Sequence, residues 1–326
     1  MRLADEVLEG RQCDVLLAGG TFYESPRWRS GSWYVSDLYN GLVWTIPGGG
    51  GPPGVAARLD DFVGGLGWRH DGALLAVSMT KRQIVAVGPS GERSLHSDLS
   101  ALSDSRLNDM TTDSAGRGWV GNYGFDLMAG ADPQPGCLFH VAADGSASVA
   151  ARGLVFPNGA VLSDDQRTLV VGETFASRYT EFDIEPTGAL LRPRSWATFG
   201  VTPALTALAE MRDRLQVIPD GCAIDSEGCL WVADVKGRRA IRVAKGGSIL
   251  EEIRVSRGHC YACGLGGPDG RSLVLCLAPG SAQAQRERAA DAAVVRVRVA
   301  VPGFTRNWRA PDSCARPSTC DTTSVV

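Results

Sequence analysis

Short apolar runs recur six times along this chain, each after a small turn rich in Gly, Asp or Ser. In chain order they are SGSWYVSD to Asp37, DGALLAVSM to Met79, AGRGWVGN to Asn122, DQRTLVVGE to Glu173, EGCLWVAD to Asp234 and DGRSLVLCL to Leu277. A further strand-like run follows each one. The units recur every 40 to 60 residues or so, which is typical of propeller blades. This pattern predicts an all-β fold, a six-bladed β-propeller with a central channel.

The repeats leave room for a single domain with short extensions. We expect a lead over residues 1–12, the propeller over 13–303 and an irregular tail over 304–326. A β-sandwich also has many short strands, but sixfold recurrence of one signature favours the propeller. The early run DVLLAGG, ending at Gly20, is predicted to complete the last blade and close the ring. Residues 203–216 are the best helix candidate, and Asp-Gly pairs at 71, 144, 220 and 269 predict tight turns.

Composition narrows the class of protein. The chain has 326 residues, 44% of them apolar, and a net charge of only −3 without a basic stripe, so we expect no nucleic-acid partner. No run approaches the roughly 18 apolar residues of a membrane span, and the start MRLADEVLEG lacks a signal-like apolar stretch. The sequence predicts a cytoplasmic protein that acts on a small molecule, away from membranes, as a monomer or weak homo-oligomer.

Nine cysteines are spread without a compact framework, which argues against a disulfide scaffold. The pair Cys260 and Cys263 has the spacing of a redox or metal motif. It lies in a strand-like run and has no second such pair, so buried thiols are the favoured interpretation.

Four polar residues occupy nearly the same phase of the repeat. Asn108, Asn158 and Asp220 each lie eight positions before a turn residue, and Glu24 lies seven before its own, whereas the second unit has Gly64 at this place. In a propeller these positions begin the innermost strands, which all run the same way along the channel. The four side chains are therefore predicted to meet at one channel mouth.

Carboxylate and amide oxygens are the ligands that hard cations prefer, and the absence of His or Cys from this set argues against zinc. The sequence predicts one divalent cation, with calcium as the first choice and magnesium, manganese or zinc as alternatives. Asn or Asp beside Gly is also a common turn former, which is the alternative for any one of these positions.

Other residues near the same mouth are secondary candidates for the site. Asp109 can support Asn108 or be an ordinary strand-start carboxylate, and Tyr123 and His259 can line a substrate pocket or pack structurally. Glu173 and Asp234 are predicted to be loop carboxylates without a role in the site.

The chain resembles the SMP-30/gluconolactonase/LRE-like family of regucalcin and bacterial sugar lactonases, from about residue 13 to 303. The segments that carry the resemblance are ESPRW to Trp28, SDLYNGLVW to Trp44, GLGWRHDGALLAVSM to Met79, RLNDMTTDSAGRGWVGNYGFD to Asp126, FPNGAVLSDDQRTLVVGETFASR to Arg178, PDGCAIDSEGCLWVAD to Asp234 and CYACGLGGPDGRSLVLC to Cys276. The resemblance implies a cation held by Glu24, Asn158 and Asp220, with Asn108 beside the metal or substrate. It also implies that Arg106 contacts substrate and that Asp220 is the general base.

These expectations converge on a metal-dependent lactonase, a carboxylic-ester hydrolase in which the metal polarises the lactone carbonyl and Asp220 assists attack by water. Arg106 would add a second positive group. Two alternatives remain at this stage, a non-hydrolytic isomerisation or cyclisation at the same site and a non-catalytic calcium-binding propeller. The sequence does not identify the substrate.

Overall fold

A computed structural model describes residues 7–304, which form six four-stranded antiparallel sheets. The innermost strands are β2 (Tyr23–Arg29), β6 (Val63–Trp68), β10 (Leu107–Thr112), β14 (Pro157–Leu162), β18 (Pro219–Ile224) and β22 (His259–Gly266). Each contacts the next, and β22 contacts β2, so the six strands form a closed ring. The predicted six-bladed β-propeller is confirmed.

The other strands of each blade follow outward from the ring. The second strands are β3 (Ser32–Asp37), β7 (Leu74–Ser78), β11 (Gly118–Asn122), β15 (Thr168–Glu173), β19 (Leu230–Asp234) and β23 (Ser272–Ala278). The third strands are β4 (Leu42–Pro47), β8 (Gln83–Val87), β12 (Gly136–Val141), β16 (Arg178–Ile184), β20 (Arg239–Val243) and β24 (Ala292–Arg298). The outer strands are β5 (Gly54–Arg58), β9 (Arg93–Asp98), β13 (Ala147–Leu154), β17 (Leu190–Thr198), β21 (Ile249–Arg254) and, in the sixth blade, β1 (Asp14–Gly20).

The ring closes between the two ends of the described chain. Strand β1 pairs antiparallel with β24, with Asp14 opposite Arg296, so the early strand completes the last blade as the sequence predicts. Closure removes two free sheet edges, each of which would expose unpaired backbone groups. Before β1, Leu8 pairs with Val255 and is buried, so part of the predicted lead packs on the fifth blade. The predicted tail, apart from Phe304, lies outside the described residues.

Large side chains at equivalent places in the second strands fill the space between blades. Trp33, Trp119 and Trp231 are all at most 2% exposed. The inner strands β6 and β14 are buried along their whole length, whereas the outer strand β9 is mostly exposed. This gradient explains why the inner runs of the sequence are continuously apolar or small and the outer ones alternate.

Two short helices lie in connections at one end of the propeller. Helix α1 (Leu208–Arg214) confirms a helix within residues 203–216, although it is shorter than that range, and it buries Met211. Helix α2 (Gln283–Arg286) lies between β23 and β24 and was not expected from the sequence. Neither reaches the length of a membrane span, and the described residues contain no other α-helix.

The tight turns predicted at the four Asp-Gly pairs are confirmed at three of them and wrong at the fourth. Gly72, Gly145 and Gly270 adopt positive φ angles of 92°, 88° and 72°, as expected for tight turns. The prediction of a turn at Asp220 is wrong, because Asp220 and Gly221 lie within the inner strand β18.

Candidate functional site

A β-bulge lies near the start of every inner strand, and the candidate residues lie in it or, for Glu24, directly before it. In β14, Pro157 pairs with Glu173 and Ala160 with Val171, so Asn158 and Gly159 occupy the extra length. The equivalent positions of the other blades are Gly64, Asn108, Asp220 and Tyr261, which also lie in their bulges, and Glu24, which pairs with Ser36 directly before the bulge residues Ser25 and Pro26. Bulges redirect side chains and are frequent next to functional sites.

Glycine after the candidate residue lets neighbouring inner strands approach. A Cβ on Gly159 would lie 2.5 Å from the carbonyl oxygen of Asp220, and one on Gly221 would lie 2.7 Å from the Cβ of Ala262. The glycines in the Asn-Gly and Asp-Gly pairs are thus needed for close strand packing and not for a reversal. This contact brings the fourth and fifth blades together at the site.

Asn158 and Asp220 are in direct contact. The Asn158 Nδ2 donates to Asp220 Oδ1 at 2.5 Å and to Thr174 Oγ1 at 3.1 Å. Asn108 Nδ2 donates to the carbonyl oxygen of Pro157 at 3.2 Å, one residue before Asn158. The structure therefore brings Asn108, Asn158 and Asp220 together from three successive blades.

Glu24 belongs to the same electrostatic group. Burial raises the pKa of Glu24 well above its usual range, and the charges of Asp220 and Asp109 raise it further. The Ser25 amide and Arg27 lower this pKa by smaller amounts. Burial also raises the pKa of Asp220 to about 8, with a smaller contribution from Asp109 and in opposition to the hydrogen bond from Asn158. Within residues 7–304, neither Glu24 nor Asp220 has a Lys, Arg or His partner in an ion pair. Arg27, the cation whose charge acts on Glu24, pairs with Asp109, so Glu24 and Asp220 have no ion-pair partner of their own among residues 7–304.

The Asp109 carboxylate is buried beside the bulge that follows Glu24. Its Oδ1 accepts hydrogen bonds from Ser25 Oγ at 2.8 Å, Arg27 Nη2 at 2.7 Å and the backbone amide of Met110 at 2.8 Å. Ser25 has a positive φ of 51°, an uncommon conformation for this residue type, and follows Glu24 directly. Asp109 therefore holds the bulge that presents Glu24, which is more than the sequence indicated for it.

The remaining predicted substrate residues lie around the channel mouth. Arg106 is half-buried just before β10, with its guanidinium carbon 5.6 Å from the ring centroid of Phe62. The Tyr123 ring is buried against Phe156 at a centroid distance of 4.4 Å, and burial raises the pKa of Tyr123, with the neighbouring Tyr39 contributing next. Packing is therefore a substantial part of the role of Tyr123.

His259 is half-buried, two residues before the bulge position of its strand. Its Nδ1 lies 2.8 Å from the carbonyl oxygen of Val235. Because a carbonyl oxygen only accepts, Nδ1 carries the proton in this contact and Nε2 is the acceptor in the neutral ring. The bulge position itself is held by Tyr261, whose ring packs at 4.6 Å on Phe22.

The donor set can be tested against a hard divalent cation. Glu24, Asn158 and Asp220 supply two carboxylates and an amide, all oxygen donors, and mutual repulsion of the carboxylates would be relieved by a cation. Asn158 presents its nitrogen to Asp220, so coordination through this residue would use its Oδ1. The described residues contain no cluster of three or more His, Cys, Asp or Glu side chains suited to a metal. The set fits a site with few protein ligands and leaves coordination positions for substrate.

Two predictions about other residues are settled by burial. Glu173 and Asp234 are fully buried strand ends and not loop carboxylates. Glu173 accepts from the Val155 amide at 2.9 Å and from Arg178 Nε at 2.7 Å, so it holds a connection beside the site in place. Cys260 and Cys263 are free buried thiols, as the favoured interpretation expected.

Several residues of the site were not found in the sequence. Thr174, Ser25 and Arg27 contact the candidate ligands or their support, and the sequence predicted no role for them. The signal available was their place in segments that carry the family resemblance, ESPRW for Ser25 and Arg27 and GETFASR for Thr174.

The fold and site define a six-bladed propeller with a cluster of acidic and amide side chains where its inner strands begin. The chain belongs to the SMP-30/gluconolactonase/LRE-like family, whose model matches residues 22–278. The resemblance seen in the sequence is therefore confirmed.

Relatives and solved structures agree with this assignment. The chain is 29% identical to a 6-deoxy-6-sulfogluconolactonase of Pseudomonas putida over 256 residues, 76% of this chain and 80% of that protein. It is 28% identical to the pentonolactonase XacC of Haloferax volcanii over 248 residues, 74% of this chain and 78% of that protein. The fold is similar to that of a calcium-binding protein, regucalcin, from Agrobacterium tumefaciens, with a TM-score of 0.72, 19% identity and coverage of 90% of this chain and 96% of that one.

Proposed function

We propose that this protein is a divalent-cation-dependent lactonase that opens a cyclic ester to a hydroxy acid. The observation that carries the proposal is the convergence of Glu24 and Asp220, two carboxylates without a cationic partner in residues 7–304, with Asn158 at one channel mouth. The names of the two lactonase relatives support the reaction. The name of the regucalcin relative supports calcium as the first ion to test, ahead of manganese, magnesium and zinc.

Glu24, Asn158 and Asp220 would hold the cation, with Asn108 beside it. When bound, the cation would supply Lewis-acid polarisation of the lactone carbonyl. Asp109, Ser25 and Arg27 would keep the Glu24 bulge in place during the reaction. Arg106 would offer guanidinium donors to substrate oxygen atoms at the mouth.

Asp220 is the proposed general base. Water attacks the carbonyl carbon and gives a proton to Asp220 Oδ2, because Oδ1 already accepts from Asn158. The ring C–O bond then breaks, and the leaving ring oxygen takes that proton from Asp220 to become the hydroxyl of the product, which returns Asp220 to its carboxylate form. Since cation binding lowers the pKa of a carboxylate, only the oxygen that does not coordinate can accept the proton efficiently.

The test combines ion removal with a substrate panel. Purified protein is stripped with chelator, reloaded with calcium, manganese, magnesium or zinc, and assayed on aldonolactones and unsubstituted lactones by proton release. We expect about one ion per chain, loss of hydrolysis and of thermal stability in chelator, and recovery of both on reloading.

Variants of the proposed ligands, compared with a control at the surface, separate a loss of ion binding from a general loss of stability. Glu24→Gln and Asn158→Ala should weaken ion affinity, whereas Glu92→Gln, at an exposed turn of β8 and β9, should not. Bound ion without hydrolysis of any lactone would favour the non-catalytic propeller, and hydrolysis that persists without ion would contradict the proposed mechanism.

A further inference from the structure

A hydrogen bond between Arg106 and Gln283 joins two opposite blades at the channel mouth. Arg106 precedes β10 in the third blade, and its Nη1 donates to Gln283 Oε1 at 2.9 Å. Gln283 begins α2, which connects β23 and β24 of the sixth blade. The third and sixth blades are opposite each other in a six-membered ring, so this contact spans the mouth. It joins residues 177 positions apart in the chain.

The partner of Arg106 is neutral. Gln283 is an amide, and within residues 7–304 Arg106 forms no ion pair, in contrast to Arg27 and Arg242, which pair with Asp109 and Asp225. A carboxylate at position 283 would neutralise the guanidinium, whereas an amide orients it and leaves its charge available. The remaining guanidinium donors can then meet substrate oxygen atoms.

Further hydrogen bonds fix both the side chain of Gln283 and the helix that carries it. Its Nε2 donates to Glu287 Oε1 at 2.6 Å. Three residues further on, Arg286 is 3% exposed and donates from Nε to the carbonyl oxygen of Thr21 at 2.9 Å. The Thr21 amide in turn donates to Asp37 Oδ1 at 2.9 Å, which anchors α2 to the first blade. The chain thus fixes the amide of Gln283 at a defined place over the mouth.

We propose that Gln283 is a positioning residue that sets the guanidinium of Arg106 for substrate binding. The inference rests on the proposed function, because it assigns Arg106 to the lactone substrate. Gln283 acts through Arg106 and has no part in cation binding. Its loss should weaken substrate binding and leave the ion and the chemical step largely intact.

The test is a double-mutant cycle on Arg106 and Gln283. Gln283→Met keeps the length of the side chain and removes its acceptor oxygen, and Gln285→Met is the matched control at an exposed position of the same helix. In calcium-loaded protein we expect Gln283→Met to raise KM about tenfold, with kcat within about twofold of the wild type. Calcium affinity and melting temperature should match those of Gln285→Met.

The decisive comparison uses the Arg106→Ala background. If Gln283 acts through Arg106, Gln283→Met should change KM there by less than about twofold. An equal rise in KM in both backgrounds, or no rise in the wild-type background, would overturn the proposal. A fall in calcium affinity with Gln283→Met would also overturn it, because the residue would then serve the ion site or the fold.

Failure of the proposed function gives a different result. If the wild-type protein hydrolyses no lactone, the lactonase proposal is wrong, and the same cycle is measured as the dissociation constant of an aldonate by calorimetry. Coupling between the two positions in that constant would still support the positioning role. Absence of aldonate binding, together with absence of hydrolysis, would overturn both.

Discussion

Strand β18 carries one buried aspartate near each end, and the two differ in what surrounds them. Asp225, directly after the strand, is fully buried and accepts from Arg242 Nε at 2.7 Å and from the amides of Glu227 and Cys229 at 2.9 and 3.0 Å. Asp220, at 9% exposure, accepts a hydrogen bond from the Asn158 amide and, among residues 7–304, from no other side chain, and it faces the acidic Glu24 and Asp109. The fold supplies Asp225 with a cation and two amide donors, whereas residues 7–304 supply Asp220 with no cation.

Two glutamates, the fully buried Glu173 and the half-buried Glu24, repeat this contrast. Glu173 is paired with Arg178 and holds the Val155 amide, whereas Glu24 has a weak contact with the Ser25 amide at 3.3 Å. Burying a charge without a partner is costly, so such a group is expected where function requires it. In this propeller, therefore, structural carboxylates are distinguished from functional candidates by whether they have an arginine partner, and not by how deeply they are buried.

The largest effect is expected from Asp225→Asn, which removes the charge that balances buried Arg242. Breaking a buried ion pair on one side costs about 3–5 kcal/mol, and the remaining contact of Arg242 with Glu227 points to the lower end. Denaturant unfolding in chelator should show this loss. Asp220→Asn, five residues earlier, should leave unfolding of the ion-free fold unchanged below about pH 8, where the carboxyl is protonated, and stabilise it above that pH, where the change relieves repulsion with Glu24. Equal destabilisation by both changes would contradict the comparison.

The next largest effect concerns catalysis. Here Asp220→Asn should have a larger effect than Asp225→Asn, the reverse of their effects on stability. Asp220→Asn keeps an oxygen and nearly the same volume but removes the proton acceptor, so kcat should fall by at least about a hundredfold. The measurement requires ion occupancy in the same sample. Asp225→Asn, assayed where it is folded, should retain near-normal turnover. A fully loaded Asp220→Asn protein with normal kcat would exclude Asp220 as the base.

The smallest effect is the pH dependence of ion affinity. In the ion-free protein the pKa of Asp220 is raised to about 8, so below that pH the carboxyl carries a proton that cation binding must release. Affinity should therefore rise with pH up to about 8, by about tenfold per pH unit for each proton released. Calorimetric titration in two buffers gives the proton count. Asp220→Asn should reduce that count by about one, and an unchanged count would show that Asp220 does not titrate with the ion.

Much of the architecture was predictable because it is periodic. Six similar runs indicated six blades, and equal spacing from a turn residue placed Glu24, Asn108, Asn158 and Asp220 in one phase. The turn assigned to Asp220 and Gly221 was wrong because an Asp-Gly pair has two uses, and only packing against Ala262 shows that this one serves a bulge. A local motif does not report which strand lies beside it.

The sequence by itself determined the number of blades, the closing strand, the family and the positions that begin the inner strands, because these follow from repeated local patterns. Tertiary structure alone decided which charges are paired. Arg27 reaches Asp109 across 82 residues and Arg106 reaches Gln283 across 177, and neither contact follows from spacing along the chain. These contacts exist only once the ring has closed, because closure brings distant blades to within a side-chain length of one another.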